Sequence, residues 1–285
     1  MPLPRSAISP RWRGLFEGRN VIVTGASSGI GREVATMFAQ EGAKVGLFAR
    51  RRALLYRIAE DIARDGGIGI PFGCDVTDSR QVRRSVERVE ELFGGIDVVV
   101  NSAGVMIPGR LGTSRIEDFR QMMDVNFFGA VNLSKAALPI MLNAKRGNIV
   151  NIASIAGRRG GATLSGYSAS KFALIGFTEA LRMELFGTGV TASLVVPGPV
   201  DTPMLDNPEW QLSSWAFGKL RMPAAWVSWG VAVAVIAGLA EVEVPPGIVT
   251  AQKIATLFPD LTAAWLGLGN LTLDMMNRWM GSGFH

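Results

Sequence analysis

The amino-acid sequence predicts an α/β fold, a doubly wound parallel sheet in three layers with an apolar helical extension at its C-terminal end. Three observations predict it. From Asn20 to about Pro197, short β-branched runs alternate with longer stretches whose apolar residues recur every three or four positions, as strands joined by covering helices require. A glycine-rich turn follows the first strand and runs straight into a helix. Beyond Pro199 charges thin out and Trp210, Trp215, Trp226, Trp229, Trp265 and Trp279 gather.

Six parallel strands are expected, at residues 21–24, 44–49, 68–73, 96–101, 148–153 and 191–196. Helices are expected at 30–40, 53–65, 79–93, 116–143 and 167–186. The uncharged stretch 222–240 reads as a buried helix rather than a membrane span, because Pro223, Ser228 and Gly230 interrupt it and Glu241 and Glu243 follow directly.

Composition narrows the chemistry. The chain has 285 residues, 48% hydrophobic and 19% charged, enough to fill the core of one large domain. Its net charge of +5 is scattered, mostly on arginine, with no basic run interleaved with aromatics, so nucleic acid is not an expected partner. Cys74 is the single cysteine and His285 the single histidine, which excludes disulfides, Cys/His metal clusters and Ser-His-Asp triads. Cys74 reads as a small buried thiol, and no metal is expected. Met1 to Gly18 contains no apolar run resembling a secretory signal, so a cytoplasmic location is the default.

The glycine turn reads Thr24-Gly25-Ala26-Ser27-Ser28-Gly29-Ile30-Gly31. Placed between a strand and a helix, it suits a pyrophosphate: glycines let backbone approach closely, and the helix N-terminus offers N–H groups and the positive end of its dipole. Tyr167 and Lys171 stand four residues apart on one expected helix face. A phenol titrates near 10, so using it near neutrality takes a shift of about three units, or about 4 kcal/mol, which a neighbouring ammonium can help supply. Ser154 stands thirteen residues before Tyr167 at an expected strand end. Read alone, Ser154 is also a turn former and Asn126 also a satisfied buried amide.

Together these motifs resemble the short-chain dehydrogenase/reductase family, which has a Rossmann-type fold. The resemblance covers about residues 15–203 and rests on Gly25, Gly29 and Gly31, Asp75-Val76, Asn101-Ser102-Ala103-Gly104, Asn126, Ser154, Tyr167, Lys171, and Pro197-Gly198 with Val200 and Thr202. One departure is Ser102, where the family's pattern has a second asparagine. The resemblance implies an NAD(P)-dependent oxidoreductase whose catalytic set is Asn126, Ser154, Tyr167 and Lys171. It implies a coenzyme held by Gly25, Ser27, Ser28, Gly29, Ile30 and Gly31, by Asp75 and Val76 at the adenine, by Asn101, Ala103 and Gly104, by Tyr167 and Lys171, and by Pro197, Gly198, Val200 and Thr202 at the nicotinamide. The implied roles are a substrate-oxygen donor for Ser154, an acid/base for Tyr167, phenol tuning and ribose binding for Lys171, and a water-holding proton relay for Asn126. A homodimer or homotetramer is expected.

A ribose 2′-hydroxyl calls for an acid at the end of the second strand and a 2′-phosphate for arginine. Here that strand ends Ala49-Arg50-Arg51-Arg52, so NADP(H) is favoured, with NAD(H) as the alternative and Arg50 and Arg51 as the contacts. The three arginines could also form a solvated helix start, although basic residues there oppose the dipole. The domain reads as an N-terminal arm (1–18), a dinucleotide-binding and catalytic core (19–202), and a lid with C-terminal helices (203–285). Pro203 to Arg221, with Met204, Leu205, Trp210, Leu212, Trp215 and Phe217, is expected to wall a pocket for a lipophilic carbonyl or alcohol, or else to pack on the core. Glu243-Val244-Pro245-Pro246 departs from the family's usual final strand. Leu257 to Met280 is expected to form apolar helices that cover the pocket or a subunit contact, with peripheral membrane contact allowed. A catalytically silent NADP(H)-binding sensor or scaffold is the competing reading.

Overall fold

The computed structural model describes residues 14–206 and 221–248. Seven strands form one parallel sheet: β1 (Asn20–Thr24), β2 (Lys44–Ala49), β3 (Ile68–Gly73), β4 (Val98–Asn101), β5 (Gly147–Ile152), β6 (Val190–Pro197) and β7 (Glu241–Val244). Their order is β3-β2-β1-β4-β5-β6-β7. Sequence neighbours run outward from β1 and then, on its other side, outward from β4. The reversal leaves a crevice at the carboxyl ends of β1 and β4, where ligands of open α/β sheets bind.

Helices α1 (Gly29–Gln40), α2 (Arg52–Arg64), α3 (Ser79–Phe93), α4 (Ile116–Met123), α5 (Gly129–Ala144), α6 (Ser165–Glu184) and α7 (Ala224–Ala237) cover the two faces. Side chains alternate across a strand, so each β-branched run feeds both faces. Val21 and Val23 of β1 join a cluster with Val34 and Phe38 of α1, Leu55 of α2 and Val227 and Val231 of α7. Ile22, between them, joins Val82, Val86 and Val89 of α3, Leu133 of α5 and Leu181 of α6. Burial on both faces is why the strands read as continuous apolar runs. Pro71 can sit in β3 because β3 is an edge strand.

Three expectations are corrected. The sheet has seven strands, not six: Glu241-Val242-Glu243-Val244 pairs with β6, placing Val242 and Val244 in the core against Gly230 of α7. The period-two alternation of Glu241 to Val244 is that of a strand, although the usual family ending does not follow it. The single helix expected over 116–143 is two helices, α4 and α5, joined by a π-helical turn at Asp124–Phe128. The fourth strand starts at Val98, because Asp97 turns its buried carboxylate to Asn20 N (2.9 Å), Arg19 and Arg146.

The stretch 222–240 holds α7, capped by Pro223 and ended by Gly238 in the left-handed region, and it packs against α1 and the sheet as a core helix. At 14 residues it is too short to cross a bilayer. The longer apolar stretch Ile116–Ala144 is also a core element, packed on α3, α6, β4 and β5.

Candidate active site

One cavity of about 790 Å³ runs across the carboxyl ends of the strands, from Arg50 and Arg51 past the glycine turn to Ser154, Tyr167 and Met204. At the glycine turn the wall is backbone. Gly25 has φ +67, and a side chain there would stand 2.9 Å from Ala103 Cα and Ser102 O. A side chain on Gly31 would stand 2.5 Å from Gly25 O. Both positions therefore require glycine, and the turn is pressed close to the loop after β4. Thr24 locks that contact: its hydroxyl donates to Val100 O (3.3 Å) and accepts from Ser102 N (3.0 Å) and Ala103 N (3.1 Å). Ser28 caps α1 without a side-chain bond to the helix, leaving the first N–H groups free toward the cavity. This cradle fits a dinucleotide pyrophosphate.

The three arginines after β2 part ways. Arg50 lines the cavity. Arg51 also lines it and donates from Nη2 to Ser27 Oγ (2.9 Å) and Ser28 Oγ (2.8 Å), closing over the glycine turn. Arg52 lies across Gly73, where a side chain would meet its Cγ and Cδ at 2.5 Å. Asp75 and Val76 face the cavity just beyond β3, and the Asp75 carboxylate accepts from Thr77 N and Oγ1.

At the other end, Ser154 follows β5 and Tyr167 and Lys171 lie one above the other on α6. Burial pushes the Tyr167 phenol above its ordinary 10, and the hydrogen-bonded Ser154 side chain acts against that shift. Lys171 Nζ donates to Ile152 O at 2.9 Å and stands 5.8 Å from the Tyr167 ring centre. Burial without a carboxylate partner lowers its pKa to about 8. The downward shift of the phenol expected from the neighbouring ammonium is therefore not found: burial outweighs it and moves the phenol up while it moves the ammonium down.

The two asparagines stand behind the wall rather than in it. Asn101 donates to Ser134 Oγ (3.3 Å) and Asn151 Oδ1 (2.7 Å), bracing β4 to β5. Asn126, in the π turn, accepts from Val105 N (2.7 Å) and donates to Val105 O (2.9 Å) and Ser170 Oγ (2.9 Å). Its Oδ1 and Lys171 Nζ both face the place where Gly104 lacks a side chain. The other expected contacts all line the cavity: Ser27, Ser28, Gly29, Ile30, Ala103, Gly104, Pro197, Gly198, Val200 and Thr202. Met204 and Leu205 line it too, on a short 3₁₀ turn at Pro203–Asp206. Trp210, Leu212, Trp215, Phe217, residues 1–13 of the arm and Leu257 to Met280 lie outside the described residues.

Sequence reasoning missed Thr24, Ser170, Met106 and Arg159. A hydroxyl ending the first strand was a usable sign for Thr24. Ser170 holds Asn126 from α6, a pairing across 44 positions that no local pattern announces.

Comparison with known proteins agrees with this geometry. Residues 19–211 match the short chain dehydrogenase family model. The chain belongs to the short-chain dehydrogenase/reductase family. It is 40% identical over 181 residues to an uncharacterized oxidoreductase of Staphylococcus aureus, covering 64% of this chain and 78% of that protein. A Staphylococcus saprophyticus uncharacterized oxidoreductase is 40% identical over 196 residues, covering 68% and 84%. The crystal structure of a Burkholderia phymatum short-chain dehydrogenase/reductase in complex with NAD is similar with a TM-score of 0.80 at 26% identity, covering 86% of this chain and 95% of that one. The protein is thus an oxidoreductase of this family, built for a nicotinamide coenzyme and a small-molecule substrate.

Proposed function

We propose that the protein interconverts a carbonyl and a secondary alcohol with NADP(H), using Ser154, Tyr167 and Lys171, with Asn126 behind them. The observation that carries this reading is the Tyr167 phenol, hydrogen-bonded to Ser154 beside the Lys171 ammonium, in the same cavity as the glycine cradle. When bound, the coenzyme supplies or takes up the hydride. In the reducing direction the carbonyl carbon gains that hydride, its C=O π bond opens, and the oxygen takes the Tyr167 proton. Ser154 donates to the same oxygen and stabilises the charge that develops there. Lys171 favours the phenolate left behind and orients the ribose. Asn126, behind the wall beside Gly104 and Lys171, extends the proton path toward solvent.

NADP(H) is preferred over NAD(H) because Ala49 ends β2 where an acid would hold a 2′-hydroxyl, and Arg50 and Arg51 line the cavity there. Met106, Leu164, Met204 and Leu205 favour a substrate with an apolar body. Residues 19–202 act as the coenzyme and catalytic core, which α7 and β7 complete, with 1–18 as an arm and the rest of 203–285 as a cover. The exposed Phe172, Phe186, Trp226 and Trp229 suit a homodimer or homotetramer. Oxidation of NADPH and NADH, followed over a panel of ketones and aldehydes, tests the reading. Turnover with NADPH is expected to exceed turnover with NADH. An original preference for NADH overturns the coenzyme choice, and no turnover with either overturns the reaction.

A further inference from the structure

Past Ser154 the cavity continues along the loop 158–164, which joins β5 to α6. Two arginines open this loop and meet opposite surroundings. Arg158 is held from both sides, by Glu179 of α6 at 3.1 Å and by Glu241 of β7 at 2.5 Å. Arg159 lines the cavity half-buried, and among the described residues its guanidinium has no hydrogen-bond or ion-pair partner. A cation drawn partly out of water without a counter-charge costs free energy and adds nothing to the fold.

The loop that presents it is fixed. Arg159 N donates to Ile155 O (3.1 Å), and Gly109 N donates to Thr163 O (2.8 Å), tying the loop to the segment after β4. Thr163 has φ +65, a conformation that a β-branched residue adopts only under constraint. The other charged side chains on the cavity wall are Arg50, Arg51 and Asp75 at the adenosine end, and Lys171. Arg51 follows β2 and Arg159 follows β5, with β1 and β4 between those strands. Three strand spacings amount to roughly 14 Å, so Arg159 serves the other end of the cavity. Between it and Tyr167 the wall is small or apolar: Gly160, Gly161, Ala162 and Leu164.

We infer that Arg159 is a specificity-determining residue that selects an oxo acid or hydroxy acid, forking the substrate carboxylate while the reacting carbon lies at Ser154 and Tyr167. Planar guanidinium matches planar carboxylate through two parallel N–H bonds. The apolar wall between the two points accommodates the carbon chain. This inference rests on the reading of Ser154, Tyr167 and Lys171 proposed above.

The test compares an oxo acid with its methyl ester, of equal chain length, in the wild type and in Arg159→Gln and Arg159→Lys variants. Arg159→Gln is expected to raise KM for the acid about ten- to hundredfold. Its kcat, its KM for the ester and its coenzyme affinity should stay within about threefold, and Arg159→Lys should recover part of the loss. Equal changes for acid and ester overturn the inference while leaving the reaction intact. If neither compound is turned over, the reaction reading fails on its own, and calorimetric titration of the coenzyme-bound protein with a fatty carboxylate decides the rest. Binding that weakens in Arg159→Gln supports the carboxylate site. Binding that is absent in the wild type, or unchanged in the variant, overturns it.

Discussion

The two ends of the cavity are made of different material. The coenzyme end is backbone: Gly25 and Gly31 pressed against neighbouring main chain, the open N-terminus of α1, and the Thr24 hydroxyl holding the loop after β4. The substrate end is side chain and loop: Met106, Arg159, Leu164, Met204 and Leu205 on three separate connections. Main chain can approach a phosphate closely only where no side chain intervenes, so the first end permits almost one solution. The second end tolerates many side chains, and its composition sets what enters.

Tyr167 stands where the two ends meet, and its removal should have the largest effect. On the proposed mechanism, Tyr167→Phe deletes the transferable proton and little volume. Turnover is expected to fall at least about a hundredfold, with coenzyme affinity unchanged by equilibrium titration. Near-normal turnover would move the seam elsewhere.

Arg50→Ala probes a place where the coenzyme end depends on a side chain. NADPH affinity should fall roughly ten- to hundredfold, the worth of a charge-assisted contact to the 2′-phosphate, while NADH affinity holds. Equal losses for both would assign Arg50 to the surface.

Lys171→Met gives the smallest effect, on stability. The folded Lys171 pKa, about 8, lies below its ordinary 10.5, so between those values the unfolded chain binds more protons and stability rises with pH. Below pH 8 the buried ammonium weighs on the folded state in full. The coenzyme-free variant should melt a few degrees above the wild type at pH 7, and the gap should close as pH rises through the window. A gap independent of pH would mean that the lysine's burial is not what costs stability.

The same contrast decides what the sequence made legible. Glycine spacing, alternating apolar runs and the Ser154, Tyr167, Lys171 interval are local, and each follows from a backbone or helix period. Asn126 was legible as a candidate, but its grip on Val105 and Ser170 joins residues 21 and 44 positions apart. Arg158 and Arg159 look identical in sequence. Only the acids brought up by α6 and β7 distinguish the structural arginine from the one left facing the cavity. The seventh strand shows the opposite failure, since its alternation was local and visible.

The π turn at Asp124–Phe128 has a mechanical consequence. Its wider coil sets the Asn126 carboxamide so that it clasps both main-chain groups of Val105 and reaches Ser170, whose hydroxyl returns to Tyr167 O at 2.7 Å. The loop after β4 and the start of α6 are thereby riveted at a single buried point. One jaw of the vise is fixed. The opposing jaw, Val200 to Leu205, is held by main chain, Asp201 N donating to Met222 O (2.8 Å) and Met222 N to Pro199 O (2.9 Å), with the exposed pairs of Arg221 to Asp201 and Asp206 adding little at its rim.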